Sequence, residues 1–222
     1  MKFSILHATA RLPMGWVDSW REWSNRLSKD TPHEVEYILC VHANDYGKLP
    51  FDFLKEEETQ PTGIKITVIG RTGRVCANDS WNAAAKVSTG DLLIMNADDL
   101  FPCQDWDTKL YAETYKIEHG STDPISYVLH ISTGSPRDHE LISHPVMSRA
   151  LYNRLGYIFY PEYESMYGDD DLTELAVKMN VVANARHIMF EHRNPLFTGE
   201  SQDDVFRYTN RQEAYEAGQR IL

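Results

Sequence analysis

The sequence predicts an α/β fold: a mixed, mainly parallel sheet flanked by helices, in a single domain. Three observations carry this expectation. Short apolar runs alternate with stretches of helical periodicity through the first half of the chain. The 222 residues are enough to build one large hydrophobic core. Hydrophobic residues make up 42% and charged residues 25%, a balance that excludes disordered and fibrous classes.

The elements are taken in chain order. Residues 3–7 (Phe-Ser-Ile-Leu-His) read as an apolar first strand. Trp16, Trp20, Trp23 and Leu27 recur at helical spacing, so a helix with one apolar stripe comes next, and the stripe faces the core. Residues 36–41 form the second strand, closed by the turn-rich His42-Ala43-Asn44-Asp45-Tyr46-Gly47. Residues 64–69 form the third strand, with Gly70 after it. Asn78 or Asp79 caps a helix through Trp81 to Val87, and Gly90 lies just past its end. Residues 91–95 are the fourth strand, and a helix carrying Trp106, Leu110 and Tyr111 begins near Asp105. Beyond it come a strand at 125–131, a helix at 145–155 closed by Gly156, a helix at 170–179 and a strand at 181–190. The polar segment 202–220 has helical spacing and reads as a solvated surface helix, with a partner-binding arm as the alternative. The first half is therefore β-α-β-β-α-β. Such sheets bind ligands beyond the carboxyl ends of their strands, so the loops after Leu6, Val41, Ile69 and Met95 should share one crevice.

Composition narrows the partners. A formal charge of -11 repels a long nucleic-acid duplex unless a basic patch compensates, whereas a small anion can be held through a bound metal. Cys40, Cys76 and Cys103 are odd in number and far apart, which fits neither a disulfide framework nor a zinc site. No apolar run reaches the roughly 20 residues of a transmembrane helix, and residues 1–12 lack a signal-like stretch, so a cytoplasmic location is expected.

Asn96-Ala97-Asp98-Asp99 comes directly after the fourth strand. Adjacent carboxylates at the mouth of a sheet repel each other, and a hard divalent cation, Mg²⁺ or Mn²⁺, removes that penalty while sharing oxygen ligands with phosphates. The competing reading is a solvated turn whose aspartates cap the next helix. The surrounding stretch favours the first reading. From Asn82 to Asp99 it resembles the nucleotide-sugar core of GT-A-fold, Rossmann-like glycosyltransferases of the family 2 type. There an Asn on a helix is followed eight residues later by Gly, then by an apolar strand and an Asp-x-Asp or Asp-Asp metal turn. Asn82 and Gly90 keep that spacing. Pro102 and Trp106-Asp107 are similar to the family's residues just past the metal turn, and residues 4–11 are similar to its first strand and nucleotide loop. The resemblance covers residues 2–195 and is strongest over 74–107.

It implies an inverting, divalent-metal-dependent transfer of a sugar from a nucleoside diphosphate sugar, UDP-sugar first, to a hydroxyl acceptor. It divides the chain into a nucleotide half (1–100), an acceptor half (101–200) and a helical tail (201–222). Asn96 departs from the pattern by standing where an acid is common. Asp99 is then the direct metal ligand. Asp98 contacts ribose or a metal-bound water and is the second candidate ligand, and Asn96 hydrogen-bonds the sugar nucleotide. Ala8, Thr9, Arg11 and Asn82 are expected at the nucleotide. Asp45 sits where an acid accepts from the uracil ring, or else forms the turn before Tyr46-Gly47, and Arg71 and Arg74 either pair with phosphates or balance the acidic chain.

A second acidic run, Tyr167-Gly168-Asp169-Asp170-Asp171-Leu172, precedes a helix, where capping and the dipole account for at least one Asp. Aligned on Leu172, the family's Glu-Asp-x-Asp-Leu places the catalytic base at Asp169, with Asp170 next in line and Gly168 in place of Glu. By the same resemblance His192 is the third metal ligand, with His187 as runner-up. Tyr157, Phe159, Tyr160, Tyr163 and Tyr167 mark the acceptor side. Three other readings stand beside this one: a nucleotidyltransferase acting on a sugar phosphate, a non-catalytic sugar-nucleotide or glycan-binding protein, and an acceptor that is a modified nucleobase of DNA. A single glycine in residues 7–15 counts against the first, because that chemistry favours a glycine-rich, basic loop.

Overall fold

The computed structural model describes residues 1–59, 62–199 and 202–222. The chain runs β1 (Lys2–Ala8), α1 (Val17–Asn25), β2 (Glu34–His42), a 3-10 turn (Ala43–Lys48), α2 (Phe51–Thr59), β3 (Ile66–Arg71), α3 (Ala77–Val87) and β4 (Leu92–Asn96). It continues with β5 (Leu100–Phe101), α4 (Trp106–Glu118), β6 (Val128–Ser132), β7 (Val146–Ser148), α5 (Arg149–Leu155), α6 (Gly168–Lys178), β8 (Val182–Met189) and β9 (Glu191–His192). Three short helices complete it: α7 (Pro195–Thr198), α8 (Asp204–Thr209) and α9 (Gln212–Gln219).

Seven strands form one sheet in the order β3-β2-β1-β4-β7-β6-β8. Only β7 runs against its neighbours β4 and β6, so the sheet is mixed and mainly parallel, as the alternating pattern predicts. The register sets Ala8 beside Cys40, His7 beside Asn96 and His42 beside Arg71, which brings the carboxyl ends of β1 to β4 to one edge. β5 and β9 make a separate antiparallel ribbon in which Leu100 opposes His192. That pairing draws a residue from late in the chain to the turn after β4.

Both faces of the sheet are covered, which is why β1 and β4 are apolar and buried along nearly their whole length. On one face Trp16, Trp20, Trp23 and Trp106 pack with Phe3, Tyr37, Leu39 and Ile94. The tryptophan stripe is thus core, as its spacing implies. On the other face Leu6, Leu93 and Met95 meet Ala84 and Ala85 of α3, Leu151 of α5 and Leu172 of α6. Gly90 is demanded by this packing: a Cβ there would lie 2.7 Å from the Ser4 backbone nitrogen.

Four local expectations are corrected. Helix α2 has no counterpart in the sequence pattern because it buries no residue and is half acidic, so it carries no strong stripe. Residues 145–155 are not one helix. Val146–Ser148 joins the sheet, and the Ser148 side chain then caps α5 by accepting from the Leu151 N–H. Helix α3 starts after Cys76, and Asn78 lies buried inside it instead of capping it. The tail is two helices, and Phe206, Ala214 and Gly218 are buried against the body of the protein. The expected division between residues 200 and 201 lies outside the described residues. Among the described residues no helix is long and apolar enough to cross a membrane.

Candidate active site

The aligned strand ends open onto one cavity of about 520 Å³. Its floor is Ala8, Thr9, Arg11, Met95, Ala97, Asp98 and Asp99 from the loops after β1 and β4. His42, Asp45, Arg71, Val75 and Cys76 also line it, as do Phe159, Met166 and Asp169. Helix α8 and the turn after it close the side, contributing Val205, Phe206, Tyr208, Asn210 and Arg211.

The acidic turn is held from several directions. The Asp98 Oδ1 lies 2.9 Å from His7 Nε2, and the Arg11 guanidinium approaches both carboxylates, 3.6 Å from Asp98 and 3.8 Å from Asp99. Arg11 also donates to Asp203, the N-cap of α8, at 2.7 Å. Asp99 faces His192 with 3.5 Å between Oδ1 and Nε2. Burial alone would raise the Asp99 carboxyl, but His192 and Arg11 outweigh it and bring it down to about 2. His144 packs edge-on against His192 at 4.4 Å between ring centroids. Burial, helped by the charge of His192, pushes His144 well below the usual imidazole range, so it stays neutral.

These donors suit a divalent ion. Asp99 and His192 offer a carboxylate oxygen and an imidazole nitrogen side by side, and Asp98 lines the same cavity. Hard cations of this kind commonly take one or two protein ligands and complete their shell with phosphate oxygens and water. Among the described residues no cluster of three His, Cys, Asp or Glu forms a protein-only cage.

Asp169 opens α6 and lines the same cavity. Burial, reinforced by the neighbouring Asp170, pushes its carboxyl up to about 6. Asp170 itself turns away to an ion pair with Arg137 at 2.8 Å and does not line the cavity, which separates the two candidates. Gly168 stands where the family pattern has Glu, and a Cβ there would sit 2.9 Å from the Asn78 Nδ2.

Three residues expected at the nucleotide lie elsewhere. Asn82 does not line the cavity. Its Oδ1 accepts from the Ile158 N–H at 2.8 Å and the Phe159 N–H at 3.2 Å, and its Nδ2 donates to the Phe159 carbonyl at 2.7 Å. It is a clamp on the turn that sets the Phe159 ring in the wall. Asn96 is fully buried under the floor. Arg74 pairs with Asp79 at 2.7 Å and donates to the carbonyls of Pro161 and Glu162, tying α3 to the loop before α6. Ala8, Thr9, Arg11, Asp45, Asp98, Asp99, Asp169 and His192 do share the cavity. His187 pairs with Glu113 at the surface, 3.1 Å away. Of the aromatic group, Phe159 reaches the cavity, while Tyr157 and Tyr160 line a smaller groove with Asp171, Glu174 and Lys178. Sequence reasoning misses His144, Trp81 and the residues of α8. Trp81 has the helical spacing of α3 as a signal, whereas nothing local marks His144 or the tail.

No protein-family model matches the chain, and no curated protein matches it in sequence. Solved structures do. S. aureus TarS matches over 88% of this chain and 37% of its own, at 15% identity and a TM-score of 0.61. The TarS 1-349 fragment in complex with UDP-GlcNAc matches over 94% of this chain and 64% of its own, at 15% identity and a TM-score of 0.59. The mannosyltransferase PcManGT from Pyrobaculum calidifontis, in complex with GDP-Man and Mn²⁺, matches over 98% of this chain and 72% of its own, at 14% identity and a TM-score of 0.59. The chain spans less than two thirds of the TarS chains it matches. At such identity the likeness speaks for architecture: this chain has the GT-A-like, Rossmann-type fold that its 82–99 stretch resembles.

Proposed function

We propose that this chain is a nucleotide-sugar glycosyltransferase that moves a sugar, with inversion, from a nucleoside diphosphate sugar to a hydroxyl acceptor. One observation carries the reading. A single cavity at the carboxyl ends of the strands gathers Asp98, Asp99, His192 and Asp169. The structural neighbours captured with UDP-GlcNAc and with GDP-Man and Mn²⁺ support the same donor class. A UDP-sugar is the first candidate, with Asp45 facing the nucleobase end.

The residues divide the work. Thr9 and Arg11 border the diphosphate, and Arg11 can exchange its carboxylate partners for phosphate oxygens. The Asp98 Oδ2 faces the cavity to accept from a ribose hydroxyl. Asp99 and His192 hold Mn²⁺ or Mg²⁺, which when bound supplies Lewis-acid stabilisation to the departing diphosphate. Asp169 takes the proton from the acceptor hydroxyl as its oxygen attacks the anomeric carbon. The diphosphate leaves from the opposite face, so the configuration inverts. A carboxyl held at about 6 is ionised at neutral pH yet a stronger base than an ordinary aspartate, which suits this step.

The test is a panel of UDP- and GDP-sugars with Mn²⁺ or Mg²⁺, compared between wild type and Asp169→Asn. Donor binding that survives the substitution while turnover is lost supports the reading. Turnover that persists in Asp169→Asn removes Asp169 as the base.

A further inference from the structure

The turn after β4 begins with an amide, and that amide points into the protein. We infer that Asn96 and His7 form a hydrogen-bond relay beneath the cavity floor that orients Asp98, which makes His7 a positioning residue for donor binding. The inference rests on the nucleotide-sugar reading of the cavity.

The relay is anchored at one end by a group that can only donate and at the other by one that can only accept. The Trp23 indole N–H has no acceptor capacity and lies 3.0 Å from Asn96 Oδ1. This fixes the amide: its NH₂ must face the other way, where Ser19 Oγ, the Tyr37 hydroxyl and His7 Nδ1 each lie 3.1 Å away. The single Ser19 hydroxyl hydrogen is used on the carbonyl of Ala97 or Leu100, so Ser19 accepts from Asn96. The Tyr37 hydroxyl also contacts His7 Nδ1. Burial pushes the Tyr37 phenol well above its usual range, so it remains a neutral donor. The one Asn96 hydrogen that Ser19 leaves is directed at the Tyr37 hydroxyl and His7 Nδ1, and on the other side of the ring the Asp98 carboxylate can only accept. The ring proton is on Nε2, and it is donated to Asp98 Oδ1 at 2.9 Å.

The consequence reaches the cavity. With Oδ1 tied back, Asp98 presents Oδ2 at the floor, where Arg11 Nη1 lies 3.6 Å away. A carboxylate so held can accept from a hydroxyl in one direction only, which suits one ribose hydroxyl of a nucleoside diphosphate sugar. The relay also explains the amide at position 96. A carboxylate there would accept from Trp23 but have no hydrogen to direct at His7. It would instead place an acceptor beside Nδ1 that competes with Asp98 for the imidazole proton, and a bare Nε2 would set two acceptors against each other at Asp98.

Two measurements on the full chain test this. Long-range ¹H–¹⁵N correlations from histidine-labelled protein report the His7 tautomer, expected to be Nε2–H in wild type and to lose that form in Asn96→Asp. Calorimetry with UDP and Mn²⁺ reads donor affinity. His7→Phe keeps a ring but loses the N–H and should weaken binding about 10-fold, the scale of one hydrogen bond to a charged group. His7→Gln restores an amide N–H at similar reach and should recover most of that loss. An Nδ1–H tautomer in wild type overturns the relay. So does unchanged affinity in a folded His7→Phe, or a His7→Gln as weak as His7→Phe. If wild type binds no uridine or guanosine diphosphate, the reading of the cavity fails, and the tautomer still decides the relay.

Discussion

At the scale of single residues, Asp169 and Asp99 are pushed in opposite directions by their surroundings. Asp169 loses water and faces Asp170, so its carboxyl rises to about 6. As a base it must be ionised, so kcat/KM should fall about tenfold per pH unit below about 6 and level off above it, read from a pH–rate profile. Asp169→Asn should lower turnover by about 10²- to 10⁴-fold. It should not destabilise the protein. A carboxyl raised in the folded state costs stability where it is ionised, so the variant should melt higher than wild type at pH 8. That gain should fade as pH falls through 6 toward 4. Asp99 is held down at about 2 by His192 and Arg11 against the opposing effect of burial, so it stays ionised across the working range. Asp99→Asn should remove the response of activity to Mn²⁺, measured by titrating metal at fixed donor. The acids of both runs are legible in the sequence as types and spacing. Which of Asp169 and Asp170 faces the cavity is not, because it depends on Arg137, thirty-odd residues away, capturing Asp170.

At the scale of elements, the strand ends and the two-stranded ribbon do the positioning. β1, β4 and α3 are readable because a strand buried on both faces is an unbroken apolar run and α3 has a clear stripe. β7 is not, since three residues leading directly into a helix carry no period of their own. Asn82 shows the limit of motif spacing: its position matches the pattern, yet its amide is spent on the backbone of Ile158 and Phe159. Asn82→Ala should therefore cost about 1–3 kcal/mol of stability by leaving those groups unpaired, seen in denaturant unfolding. Its effect on donor affinity should be secondary to the shift of the Phe159 wall. Helix α8 is tied to the site by Asp203, which caps it through the Phe206 N–H at 2.7 Å and pairs with Arg11. Asp203→Ala should cost about 1 kcal/mol from the lost cap. It should also loosen the side of the cavity, visible as faster hydrogen exchange in α8.

At the scale of the whole molecule, the cavity belongs to no single segment. β1, β2 and β4 supply its floor and one end, the β5–β9 ribbon brings His192, α6 brings Asp169, and the tail closes it. The fold class is legible because alternating strands and helices leave few ways to bury two faces of a sheet. The roof is not. Residues 202–220 are polar in pattern and read as a solvated helix, whereas Phe206 fills the side of the cavity. The central claim is that this enclosure holds a sugar nucleotide through Asp99 and His192 and delivers it to a base at Asp169. The most direct measurement is release of nucleoside diphosphate from UDP- and GDP-sugars, with and without Mn²⁺, by wild type and Asp99→Asn. The expected result is release from at least one donor that requires the metal and is lost in the variant. Release from no donor under any metal condition, or release that ignores both metal and Asp99, would contradict it.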